Sequence, residues 1–320
     1  MAELVKVVVD AMGGDNAPVE PVKGAVEAVK ARKDIKVILT GDSQVIEREL
    51  SKYPDCPREQ IEIVHTTEKI ETAEPPVLAV RKKKDSSIVV GLNLVKKQEA
   101  DAFVSSGSGA NVDARPSHLV QFAKMGAIYM EHVVGIKNPR VAIVNNGAEE
   151  EKGNALVKAT FPLLKEAAGI HFIGSIEARD IPSGYADVIV CEAFVGNVIL
   201  KLYEGVGSTL ISKIKESMMS SLRSKIGALL VKPALKSTLK TFDASEHGGA
   251  PLLGLKGLVV KTHGSAVAVE IRNAIFQCVQ FKEQKINEKI GERILADKEQ
   301  QKNDMGNAKN SDTGDSEYTG

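Results

Sequence analysis

Lys6-Val-Val-Val-Asp10-Ala-Met-Gly13-Gly14-Asp15-Asn16-Ala-Pro18 is a β-branched strand that stops in two glycines flanked by aspartates, just before a helix begins. Glycines let backbone N–H groups approach an anion closely, and Asn16 is placed to cap a helix whose first turn holds Pro18 and Glu20. The turn is the size of a phosphate site. Short apolar runs of the same kind recur at 36–40, 61–65, 102–105, 141–145, 171–174, 187–191 and 258–262, separated by segments of helical period. Val22, Ala25, Val26 and Val29 form one apolar helix face, and Leu119, Phe122, Ala123 and Gly126 begin another. This alternation predicts an α/β fold, a mostly parallel, doubly wound sheet with helices on both faces.

The predicted strand exits share a chemistry: Gly41-Asp42, Thr66-Thr67-Glu68, Ser105-Ser106-Gly107-Ser108-Gly109, Asn145-Asn146-Gly147, Gly174-Ser175, Glu192 and His263-Gly264-Ser265. Ligands of open α/β sheets bind beyond the carboxyl ends of the strands, so several of these tips are expected to converge on one crevice.

Composition narrows the class. A chain of 320 residues with 43% hydrophobic content can bury a substantial core. Lys+Arg and Asp+Glu both number 42, and aromatics are 4% with no Trp, so neither net charge nor stacking points to nucleic acid. Cys56, Cys191 and Cys278 are far apart and lack metal-ligand spacing, which suits a reducing cytosol and signals no metal site. No apolar run reaches the ~18 residues of a membrane span. A cytoplasmic protein is expected, attached to a membrane only at its surface.

Residues 1–295 read as the α/β domain, and 296–320 as a polar tail expected to be disordered. Within the domain, 203–247 form a basic, amphipathic, Met-bearing helical arm. Leu210, Ile211, Ile214, Met218, Met219, Leu222, Ile226, Leu229 and Leu230 fall at helical spacing, interleaved with Lys213, Lys215, Arg223, Lys225, Lys232, Lys236 and Lys240. Such an arm suits dimerisation, an acidic partner or an anionic lipid surface, and equally a solvated basic face over the core.

Absent motifs limit the chemistry. There is no Gly-x-x-x-x-Gly-Lys-Ser/Thr, no complete dinucleotide fingerprint, no Gly-x-Ser-x-Gly elbow and no His-Glu-x-x-His helix. What remains is a set of anion-binding strand ends without an evident covalent nucleophile. Cys191 ends a strand at the crevice, but reads as a small buried thiol before a nucleophile.

The chain resembles the bacterial phosphate acyltransferases, acyl-[acyl-carrier-protein]:phosphate transacylases. The resemblance is carried, in order, by Val-Val-Asp10-Ala-Met-Gly-Gly-Asp-Asn-Ala-Pro18, Ala79-Val-Arg81-Lys-Lys-Lys84-Asp-Ser-Ser87, Ala110-Asn-Val-Asp113-Ala-Arg115-Pro116, Glu149-Glu-Glu-Lys152-Gly153-Asn154, Phe194-Val-Gly196-Asn197, Gly248-Gly-Ala-Pro251-Leu-Leu-Gly254 and Lys261-Thr-His263-Gly-Ser265. It implies a fold similar to phosphotransacetylases and isocitrate or isopropylmalate dehydrogenases. It also implies acyl transfer from acyl carrier protein to inorganic phosphate for phospholipid synthesis, a homodimer, no cofactor, and coupling to a membrane glycerol-3-phosphate acyltransferase. Catalytic roles fall on Asp10, Asp15, Lys152 and His263, and phosphate or substrate binding on Gly13, Gly14, Asn16, Arg81, Ser105, Ser108, Asn154 and Asn197. Each has a plainer reading: Asp10 and Asp15 as turn and cap, His263 as a backbone ligand, Asn154 and Asn197 as turn residues.

Three departures stand out. Where the family continues from the Ser-rich strand end through a helix, a loop and another strand, this chain runs from Ser108 almost directly into Gly109-Ala-Asn-Val-Asp113. The family's Gly-Thr-Glu is Gly147-Ala148-Glu149, and its Asp-Gly-Phe-Thr-Gly-Asn is Glu192-Ala193-Phe194-Val195-Gly196-Asn197. Two other readings follow: an acyl-CoA-dependent enzyme of phosphotransacetylase type, and a catalytically impaired homologue that binds carrier protein or a membrane surface.

Overall fold

Val7, Val8 and Val9 are all buried, so strand β1 (Val5–Asp10) is covered on both faces, as a parallel strand between helix layers must be. The computed structural model describes residues 4–71, 74–106, 113–240 and 248–296. In it β1 pairs in parallel with β2 (Ile35–Gly41) on one side and β4 (Ala102–Ser105) on the other. β3 (Ile61–His65) extends the sheet beyond β2, and β9 (Leu258–Lys261) extends it beyond β4. The short β8 (Ala250–Pro251) runs antiparallel to β9, giving the order β3-β2-β1-β4-β9-β8.

One face is covered by α1 (Val19–Ala31) and α9 (Ala268–Glu283). The expected face Val22, Ala25, Val26 and Val29 is buried with Ile271, Ala274, Ile275 and Cys278 in a shared core. A Cβ on Gly24 would lie 2.6 Å from Ile271 Cβ and 2.7 Å from the Ala268 carbonyl oxygen, so the two helices meet nearly backbone to backbone. On the other face α4 (Ser87–Lys96) packs Val95 against Val8, Ile38 and Phe103. α2 (Ser43–Leu50) is capped by Asp42, whose side chain accepts from the N–H groups of Gln44 and Val45.

The remaining strands form a separate parallel sheet. β5 (Arg140–Asn145) lies between β6 (His171–Glu177) and β7 (Val188–Val190). With α5 (Pro116–Tyr129) and α6 (Ala155–Glu166) it buries its own core of Leu119, Ala123, Val141, Ile143, Phe161, Leu164 and Val188. All the strands expected from the sequence are present, and the architecture is α/β and mostly parallel. They divide between two sheets, however, because an apolar run marks a strand without naming its neighbour. Phe122, expected on the buried face of α5, is 42% exposed and tilts against His118, since it sits on the flank of the Leu119–Ala123 stripe. β8 is too short to leave a periodic signal.

The chain then enters α7 (Ala193–Met218), which begins ten residues ahead of the expected arm and contains no buried residue. α8 (Leu222–Lys240) touches α7 and exposes Leu229 and Leu230 by 71% and 77%. The rest of the expected arm, 241–247, lies outside the described residues. Residues 286–296 are helical, and the rest of the expected tail, 297–320, lies outside the described residues. No helix among the described residues is long and apolar enough to cross a membrane.

The Gly24 contact is open to direct test. Gly24→Val should lower unfolding free energy in urea by at least about 2 kcal/mol, because neither the Ile271 Cβ nor the Ala268 backbone can yield without parting α1 from α9.

Candidate functional site

Because β1, β4 and β9 are neighbours, their carboxyl ends lie side by side, and the turn after β1 is built against the other two tips. Asp10, the last residue of β1, is buried. Its carboxylate accepts from Ser105 Oγ at 2.8 Å and from the Met12 N–H at 3.1 Å. Burial pushes its carboxyl above the ordinary value, against the opposing pull of hydrogen bonds from Ser87, Ser105 and the Met12 and Gly13 backbone.

Both glycines are required by what surrounds them. A Cβ at Gly13 would run into the Asp10 carboxylate and lie 3.1 Å from Ser105 Oγ. Gly14 has φ +88°, and its Cβ would lie 2.7 Å from Ser106 Cβ and 2.8 Å from the Gly264 carbonyl oxygen. The Asp15 N–H donates to that same Gly264 oxygen at 2.8 Å. Asn16 does not cap α1, whose N-cap is Pro18 without a side-chain cap bond. Its amide donates instead to the carbonyls of Ser265 (2.9 Å) and Ala266 (3.3 Å), tying the turn to the loop after β9.

That loop carries His263. Its Nδ1 lies 2.8 Å from Ser265 Oγ, and its Nε2 lies 3.2 Å from Nζ of Lys201, which also pairs with Glu204 at 3.0 Å. The Ser265 backbone N–H also donates to Nδ1 at 3.2 Å, so each ring nitrogen faces a donor. Beneath them the Ser106 and Thr262 hydroxyls share a buried hydrogen bond of 2.7 Å.

The structure thus brings together Asp10, Gly13, Gly14, Asp15, Asn16, Ser105 and His263. It adds Ser87, Ser106, Thr262, Ser265 and Lys201, which the sequence reading did not single out. Ser87 and Ser106 had a signal in the Ser-Ser pairs they belong to; Lys201 is one lysine on a long helix and had none.

Other expected residues stand elsewhere. Lys152 pairs with Glu149 at 2.9 Å, and Asn154 accepts from the Val157 N–H at 2.9 Å as the cap of α6. They belong to a second tip cluster, where the Asn145 amide donates to the Lys152 carbonyl and to Ser175 Oγ. Asn197 is exposed on α7, one helical turn before Lys201, and Arg81 is exposed on α3 (Pro76–Lys82). No hydrogen bond or ion pair among the described residues joins these four to the β1 turn. Ser108 lies outside the described residues. Burial, with Glu192 beside it, pushes the Cys191 thiol up to about 11, which disfavours the thiolate a nucleophile needs. No grouping of three His, Cys, Asp or Glu among the described residues could hold a metal ion.

Fold and site together define an α/β protein whose strand tips enclose one buried carboxylate under a glycine turn. The chain matches the family model described as "Fatty acid synthesis protein" over residues 5–110 and 107–289. It is 47% identical to a phosphate acyltransferase of Alkaliphilus oremlandii, over 91% of this chain and 97% of that protein. It is 45% identical to that of Clostridium acetobutylicum (90% and 98%) and 44% to that of Clostridioides difficile (93% and 99%). The chain belongs to the phosphate acyltransferase family. The first alignment spans 329 positions, more than the 320 residues of which it takes in 91%, so a stretch of that relative has no counterpart here. The family match itself is in two pieces that meet at 107–110, the place where the sequence passes abruptly from Ser108 to Asp113.

Asp10 gives this turn a distinctive pH signature. Its folded-state pKa is raised, so the ionised carboxylate opposes folding, and stability is lost as pH rises from about 4 through the folded value. Asp10→Asn removes that loss. The stability of the variant relative to the parent, from urea unfolding between pH 4 and 8, should therefore climb with pH; a flat difference would mean that the carboxyl titrates alike folded and unfolded.

Proposed function

We propose that this chain transfers a fatty acyl group from an acyl-carrier-protein thioester to inorganic phosphate, giving acyl phosphate for phospholipid synthesis. The observation that carries this is the β1 turn, where a buried carboxylate and glycine N–H groups meet neutral hydroxyls and an imidazole without an activated nucleophile. The reaction needs none. Phosphate at neutral pH is already an anionic nucleophile, and a pantetheine thiol, with Cys at about 8.5 as its model, leaves without full protonation.

In this reading a phosphate oxygen attacks the thioester carbonyl carbon, the carbonyl oxygen becomes an oxyanion, and the C–S bond breaks as the thiolate departs. The protein holds phosphate against the carbonyl, stabilises the oxyanion and keeps water from a hydrolysable product. The Gly14 N–H supplies a neutral donor, while the Gly13 N–H and the Ser105 hydroxyl hold the Asp10 carboxylate beside it. Asp10, held by Ser105 and Ser87, takes or orients the phosphate proton. Asp15 and Asn16 fix the turn on the 263–266 loop. Positive charge comes from Lys201 beside His263, with Asn197 one helical turn before it on α7; Lys152 and Asn154 serve only if the second tip cluster, and Arg81 only if α3, swings onto the turn.

The family likeness favours the same reading, and supports the finer expectation of a dehydrogenase-like and phosphotransacetylase-like fold with α7 and α8 as an amphipathic arm. We infer that the arm mediates a homodimer and touches anionic lipid, because Arg223, Lys225, Lys232 and Lys236 stand among exposed leucines on α8. A membrane glycerol-3-phosphate acyltransferase would then receive the product at the surface.

Purified protein given phosphate and either acyl-carrier-protein or acyl-CoA thioester should form acyl phosphate, trapped as the hydroxamate, with the carrier-protein donor preferred. Gly14→Val should reduce that turnover about 100-fold or more while circular dichroism stays native, since it displaces an oxyanion or phosphate donor; preference for CoA would move the reading to the phosphotransacetylase type. For the arm, binding to vesicles containing anionic lipid should weaken with salt and vanish when Lys225, Lys232 and Lys236 are changed to Glu. Binding indifferent to salt would remove the surface role.

A further inference from the structure

We propose that Thr67 and Asp85 form a clasp that positions Ser87 on the Asp10 carboxylate, so that an exposed pair at the sheet margin fixes the surroundings of the buried acid. This rests on the proton-handling role given to Asp10 above and names the positioning residues behind it.

Beyond β3 the chain stays on the sheet, where the Thr66 N–H donates to the Gly41 carbonyl at 2.9 Å. The next two residues grip a segment 18 positions further on. The Thr67 N–H and Oγ both donate to Oδ2 of Asp85, at 2.8 and 2.5 Å. The Glu68 N–H donates to the Asp85 carbonyl at 3.3 Å, the Asp85 N–H donates to the Glu68 carboxylate at 3.0 Å, and Glu68 and Ser86 form a parallel bridge. Two residues past Asp85 stands Ser87, the first residue of α4, 2% exposed and hydrogen-bonded to Asp10. Ser86 does not fix that helix start, since its hydroxyl turns back to the Lys83 carbonyl at 2.8 Å and α4 has no side-chain cap bond. The clasp supplies the hold that a cap would otherwise give.

The clasp keeps its form while Asp10 titrates. The Thr67 hydroxyl and N–H hold the Asp85 carboxyl below its ordinary value, with His65 adding to the pull, whereas burial holds the Asp10 carboxyl above its own. Asp85 is therefore ionised throughout the range in which Asp10 gains or loses its proton. Asp10 meets Ser87 from α4, Ser105 from β4 and the Met12 and Gly13 N–H groups of its own turn, none of which carries a charge. Asp15, His263 and Lys201, the titratable groups of the adjoining turn, loop and helix, do not contribute to its shift. A donor lost at Ser87 thus has no charge to mask it.

Asp85→Ala removes both Thr67 bonds at an exposed position. The Asp10 carboxyl carbon, followed by 13C NMR and assigned by its absence in Asp10→Asn, should then titrate about one unit higher, a tenfold gain in proton affinity, because the carboxylate loses a hydrogen bond. Thr67→Val should move it the same way by less, and Thr67→Ser, which keeps the hydroxyl, should leave it at the parent value. In acyl phosphate formation the acidic limb of kcat/KM should rise in step. An Asp10 titration unmoved in Asp85→Ala and Thr67→Val overturns the proposal, and a lowered melting temperature without that movement makes the clasp a structural tie only. Thr67→Val carries the test if Asp85→Ala does not fold. A moved titration with an unmoved limb keeps the clasp and removes Asp10 from the proton step. Should the parent protein make no acyl phosphate, the acyl-transfer reading fails by itself and the NMR titration still decides the clasp.

Discussion

The Asp10 carboxylate, sealed beneath Gly13 and bonded to Ser105, is the contact on which the site depends. It fixes two things together: no side chain can stand at position 13, and β4 must end where its serine reaches back to β1. Gly14 repeats the constraint against Ser106 and Gly264, so the turn is clamped between the tips of β4 and β9. The clamp needs a firm support below, and α1 and α9 provide it. The Glu20 carboxylate accepts from the Ala268 N–H at 2.6 Å, and the bare Gly24 surface lets Ile271 close over α1. A loop that runs from β9 into α9 therefore has both ends held, and His263 and Ser265 between them have little room to drift.

A buried acid is costly, and here its hydrogen bonds only partly offset the desolvation. A carboxyl whose ionisation is disfavoured, bonded to hydroxyls under a glycine turn, fits the proton-handling role proposed for it. Asp187 makes the contrast: Arg140 holds its carboxyl down at about 2 with paired bonds of 2.9 Å, and it serves only to pin the start of β5 to the chain before β7.

What the sequence made legible was local. Asp10, Gly13, Gly14 and Ser105 could be singled out because a residue type with a special capacity stood at the end of a β-branched run, and strand ends in such folds point at ligands. The same logic misled for Asn16, since an amide placed to cap a helix is equally placed to bond a loop 249 residues away. It also grouped Lys152 and Asn154 with the first turn, because a list of strand tips does not say which strands share a sheet. Pairing is decided by tertiary contacts, and those put β5, β6 and β7 around a core of their own. Lys201 was invisible for the same reason: its role comes from a neighbour 62 residues away.

α7 is where this distinction between local and tertiary information matters most. A helix of 26 residues with no buried side chain takes little stability from the core, and isolated helices are marginal in water. Its first turn is secured by Glu192, whose carboxylate accepts from the Phe194 and Val195 N–H groups at 2.6 and 2.8 Å, and further out by the Lys201 contact with His263. Everything beyond depends on α8 and on whatever covers the exposed leucines. Lys201, which reaches His263, is thus carried by an element whose order is set outside the sheet.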